Sequence, residues 1–88
     1  MMYRYFKDVI DEISVKFSQD ISGIQFWQNY GDVRVDIAFK DEFDFVSRAS
    51  EVCLLVTSNA PKDFIFHNVN ADYENRLVQA EWGIPEEL

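Results

Sequence analysis

The sequence holds little from which to build a disulfide, a closed zinc site or a phosphate-binding loop. Cysteine occurs once, histidine once, and the three glycines, Gly23, Gly31 and Gly83, stand far apart. A lone Cys53 excludes an internal disulfide and agrees with a reducing compartment. One histidine and one cysteine are too few for a closed zinc site, and isolated glycines make no phosphate cradle. The twelve-residue calcium-loop pattern is absent, as is any Asn-x-Ser/Thr sequon. The longest uncharged aliphatic block, "CLLV", is far below the roughly 20 residues that a spanning helix needs. "MMYRYFKDVIDEI" carries charges every few residues, so it does not read as a secretory signal. No metal, cofactor or membrane is expected, and the cytoplasm is the expected location.

What is present is core material and acid. Apolar residues are 48% of the 88, including eight phenylalanines, enough for one domain over 1–88 with its own core. The formal net charge is −8. Residues 1–40 hold five Lys/Arg against six Asp/Glu, whereas residues 41–88 hold three against ten. This asymmetry repels nucleic acid and anionic membrane and attracts basic proteins. Solubility alone is the plainer explanation, since a net charge of magnitude about 2–8 is ordinary for a small domain.

The chain opens as an amphipathic helix over about Met2 to Gln19. Met2, Phe6, Val9, Ile10, Ile13 and Phe17 recur at spacings of three and four, with Lys7, Asp8, Asp11, Glu12 and Ser14 opposite. A β-hairpin follows. Pairing Ile24 with Ile37, Phe26 with Val35 and Gln28 with Val33 collects one mainly apolar face for the core. The other face then holds Trp27 opposite Arg34 and Gln25 opposite Asp36. Tyr30 would resist a positive φ, so "NYGD" suggests a looser turn using Gly31.

Asp41 is the expected cap of a second helix, with Glu42 and Asp44 in its first turn, where the dipole favours carboxylates. Phe45, Val46, Ala49, Val52, Cys53 and Val56 would be its buried stripe; a strand over "EVCLLVT" competes. "DFIFHNV" reads as a strand from about Asp63 to Val69. In "NADYENRLVQAEWGIP", Asn70 is a candidate N-cap, Asp72 and Glu74 fall in a first turn, and Tyr73, Leu77 and Ala80 share a helical face. Gly83 and Pro85 would close that helix. The alternative is a strand "RLVQAEW" paired with its predecessor. The order is therefore α-β-β-α-β-α or α-β-β-α-β-β. Both describe an α+β two-layer sandwich, with helices on one face of an antiparallel-containing sheet of three strands, or of four on the second order. The α-β-β-α-β part matches a ferredoxin-like unit lacking its first strand, a likeness of topology that carries no function.

No catalytic set assembles. Asp63 and His67 would share a strand face but sit about 13 Å apart at the backbone, too far for a direct hydrogen bond. Cys53, mid-stripe, reads as a small buried hydrophobe. The carboxylate pairs Asp8/Glu12 and Asp41/Asp44 are explained by a solvated helix face and by capping. An enzyme is not expected, and direct nucleic-acid binding lacks a basic stripe.

Trp27, Tyr30 and Arg34 are residue types enriched among interface hot spots. A Trp27–Arg34 stack across the strands, or a third helix covering Trp27, would explain them structurally. The expected function is an acidic protein that inhibits or masks a basic, nucleic-acid-handling partner, in the manner of an immunity protein, antitoxin, phage anti-defence inhibitor or nucleic-acid mimic. Asp41, Glu42, Asp44, Glu51, Asp72, Glu74, Glu81, Glu86 and Glu87 would supply the field, though not all can lie in one interface, and Trp27 and Tyr30 would be anchors if the hairpin belongs to it. The alternative is an assembly module that homodimerises through a sheet edge or an aromatic face.

Overall fold

A computed structural model describes residues 2–86; Glu87 and the side chain of Met2 lie outside the described residues. A 3-10 turn over Met2–Phe6 leads into helix α1, Lys7–Lys16. The helix is shorter than its apolar periodicity suggests, because Phe6 gives no side-chain cap and Phe17 leaves helical geometry at φ −118° and ψ 30°. The periodicity still marks what is buried: Phe6, Val9, Ile10, Ile13 and Phe17 all lie in the core.

Strands β1, Ile21–Asn29, and β2, Asp32–Phe39, form the hairpin. Their register is the one the alternation implies, with Ile24 on Ile37, Phe26 on Val35, Trp27 on Arg34 and Gln28 on Val33. The turn is tighter than expected, since Asn29 pairs with Asp32. Gly31 takes the positive φ of +85°, which spares Tyr30.

Helix α2 spans Phe45–Ser58, so the helical reading of "EVCLLVT" holds. It starts later than expected, and Asp44, not Asp41, caps it, accepting a hydrogen bond from Ser47 N at 3.4 Å. Phe45, Ala49, Val52 and Val56 form the buried stripe. Val46, one residue past Phe45, turns outward and is exposed, and Cys53 is only half-buried.

The last element corrects the helical expectation. Strand β3, Ile65–Asp72, turns at 73–76 into strand β4, Leu77–Gly83, and the order is α-β-β-α-β-β. Local helix signals lose to a period-2 pattern that sends Val78, Ala80 and Trp82 into the core. Asp72 accepts from Asn75 N and Nδ2, closing a turn instead of opening a helix. Tyr73 is therefore exposed at the turn, and Gly83 pairs with Asp32 instead of ending a helix.

All neighbouring strands are antiparallel, in the order β1-β2-β4-β3. β4 thus takes the central place that the missing first strand of the ferredoxin-like unit would fill. Both helices pack on one face. Phe6 meets Phe26, Phe64 and Trp82, and Phe17 meets Phe39 and Phe43, in edge-on or tilted ring contacts. No helix among the described residues is long and apolar enough to cross a membrane.

Candidate functional site

The side chains expected to bind a partner fall into four places. Asp41, Glu42 and Asp44 lie in the β2–α2 loop, and Asp72 and Glu74 at the β3–β4 turn. Arg76 joins these two segments. Its guanidinium donates to the carbonyls of Lys40, at 2.8 Å, Asp41, at 3.1 Å, and Phe43. Phe39 N donates back to the carbonyl of Arg76 at 3.0 Å. The clamp needs Arg76 at a φ of 56°, the only positive φ outside glycine among the described residues.

Asp20 joins the same end through the bond from Lys40 N to its carbonyl, at 2.8 Å. Six carboxylates, from Asp20, Asp41, Glu42, Asp44, Asp72 and Glu74, therefore surround one end of the sheet. Lys40 and Arg76 are the cations in those segments, and Arg48 of α2, over the Phe17 and Phe43 rings, also lies within the field of Asp20 and Asp44. Arg76 lies 3.8 Å from Asp41, whose side chain is 99% exposed, so the contact neutralises little. The Asn75 side chain and backbone, donating to Asp72, hold its carboxyl below the usual range and therefore charged. Tyr73 stands among these acids, 56% exposed, its ring edge-on to Phe45 at 5.6 Å.

The second place is the open face of the sheet, which no helix covers. Arg34 lies over the Trp27 ring, 5.3 Å from its centroid, so the stacking explanation describes this pair. Trp27 is nevertheless 44% exposed. Arg34 Nη2 donates to Asp36 Oδ2 at 3.2 Å, while Nε and Oδ1, 3.1 Å apart, are misaligned for a hydrogen bond. Trp27, Asn29, Asp32, Arg34 and Glu81 line a shallow concavity of about 180 Å³.

Tyr30 and Glu86 form a third place. Tyr30 is fully exposed at the β1–β2 turn, and Ile84 N, two residues before Glu86, donates to Gly31 O. The eight residues of β2 separate this end from the acidic one, about 23 Å at strand rise. Tyr30 and the carboxylates of Asp41 and Glu42 therefore lie at opposite ends of the sheet. Glu51 is in the fourth place, on the helical side, where Arg48 donates to it at 2.9 Å and Lys16 stands 3.5 Å away. These cations, Arg48 foremost, hold its carboxyl below the usual range.

His67 sits at a bulge in β3, with Nε2 3.6 Å from Asp32 Oδ1 rather than near Asp63. Burial pushes the Cys53 thiol up, which keeps it protonated at neutral pH. No three His, Cys, Asp or Glu side chains among the described residues come together closely enough to hold a metal ion. Sequence reasoning missed Tyr73, Arg76, Asp20 and Asp36. The outward position of Asp36, two residues from Arg34, was a readable signal. Nothing local marks Arg76, whose partners are 33 to 36 residues away. Compared with family models, curated proteins and solved structures, the chain matches none.

Proposed function

We propose that this protein binds and masks a basic, nucleic-acid-handling partner in the cytoplasm, as immunity proteins, antitoxins and phage anti-defence inhibitors do. The observation that carries this reading is the Arg76 clamp. It turns the Arg76 guanidinium onto backbone carbonyls rather than carboxylates and holds two acidic segments side by side. A fixed group of like charges raises the local concentration of an oppositely charged partner and speeds encounter.

Tyr73 supplies the anchor that Tyr30 and Trp27 cannot supply from their positions. It is aromatic, exposed, supported by Phe45 and flanked by Asp72 and Glu74. Such a ring, surrounded by charge, suits the rim-and-anchor arrangement of an interface hot spot.

The test is affinity capture from the native host with the immobilised protein, beside Asp41→Asn/Glu42→Gln/Glu74→Gln and Tyr73→Ala. These positions leave the Asp44 cap and the Asp72 turn intact. A basic protein retained by the wild type and lost by both variants supports the reading. Capture of the same proteins by the charge-neutralised variant overturns it.

A further inference from the structure

Strand β1 lies at the edge of the sheet, and its nine residues, ISGIQFWQN, contain no charge and no proline. Edge strands ordinarily carry such features, or a bulge, because a row of free backbone groups is a template for another chain. The opposite edge, β3, is interrupted by its bulge at His67 and ends in Asp72. The irregularity in β1 is confined to its first residues, between Ile21 and Gly23, which leaves Ile24–Asn29 regular. In a chain of net charge −8, β1 is the edge strand among the described residues that carries no charge, so a second copy can approach it without like charges along the edge.

We infer that β1 pairs antiparallel with β1 of a second copy, centred on Gln25, joining two four-stranded sheets into one. The centre follows from side-chain alternation. With Gln25 opposite itself, Ile24 meets the partner's Phe26 on the core face. Both are only half-buried in the single chain, packed against the rim of the core. On the open face, Gly23 meets the partner's Trp27. The space above Gly23 is empty, with no atom within 4 Å of where a Cβ would stand. An indole laid over a glycine in a neighbouring strand fills such a gap. Shifting the pairing by two residues sets Ile24 against either itself or Gln28, and loses the Trp27–Gly23 match.

The geometry also separates charge. The Ile21 end of β1 adjoins the acidic end of the sheet through Phe39 and Asp20. Antiparallel pairing sends the two acidic ends to opposite extremities of the dimer. One strand edge is smaller than the roughly 800 Å² per partner of a standard interface, so dissociation in the micromolar range is expected.

Sedimentation of the wild type from about 1 to about 300 µM tests this, with Gln25→Lys, Trp27→Ala and Asn70→Lys beside it. All three positions are exposed, and circular dichroism verifies that each variant folds. The expected result is a concentration-dependent dimer. Gln25→Lys, which sets like charges directly opposite, weakens it at least about tenfold, and Trp27→Ala weakens it too. Asn70→Lys, on β3, leaves it unchanged, and raising salt does not weaken it. A monomer throughout the range, a dimer indifferent to Gln25→Lys, or one equally sensitive to Asn70→Lys overturns the inference. None of these outcomes bears on the acidic end, so masking of a basic partner stands or falls separately.

Discussion

Arg34 answers to two neighbours at once, the face of Trp27 and the carboxylate of Asp36, which is 8% exposed. Removing the guanidinium strands a buried anion, whereas removing both groups strands nothing. Arg34→Ala is therefore expected to cost about 1–2 kcal/mol in urea denaturation, and adding Asp36→Ala should recover part of that loss. Equal or greater loss in the double variant would contradict the pairing. The Trp27–Arg34 contact was legible in the sequence, because hairpin register follows from which residues alternate inward. The burial of Asp36 was not. It depends on β4 lying against the other side of β2, opposite Gln79, and that strand is supplied from more than 40 residues further along.

At the scale of the element, two boundaries moved for reasons that can be measured. Asp41, Glu42 and Asp44 all precede the apolar stripe of α2, and only packing decides which becomes the cap. Phe43 and Phe45 both enter the core, which holds the chain non-helical through Asp44 and lets its carboxylate reach Ser47 N. Asp44→Ala should cost about 0.5–1 kcal/mol, and Asp41→Ala, on a fully exposed side chain, less than about 0.5 kcal/mol, both read from thermal or urea unfolding. The reverse ranking would restore Asp41 as the cap. For β4, a cap candidate, two first-turn acids and a closing glycine compete with the alternation of Val78, Ala80 and Trp82. The alternation wins because Trp82 completes the ring cluster around Phe6, a tertiary gain that a local window does not contain. The element order α-β-β-α-β-β was one of the two readings the sequence allowed, whereas the sheet order β1-β2-β4-β3 was in neither.

Across the whole molecule, the imbalance between residues 1–40 and 41–88 foretold that acid would gather, though not where. Three-dimensional placement divides the expected carboxylates. Five of the expected ones, joined by Asp20, meet at one end of the sheet, Glu81 faces Arg34, Glu51 is held by Arg48 and Lys16, and Glu86 lies at the far end. Trp27 and Tyr30, anchors only if the hairpin shares that interface, lie on the open face and at the opposite end of the sheet, and Tyr73 is the exposed ring among the acids. The central claim is that the acidic end steers and receives a basic partner. Its most direct test is the stopped-flow association rate of the captured partner, measured from about 50 to about 300 mM salt. Steering predicts a rate that falls several-fold over that range for the wild type, and a slower rate with a shallower salt dependence for Asp41→Asn/Glu42→Gln/Glu74→Gln. A wild-type rate unmoved by salt would contradict it.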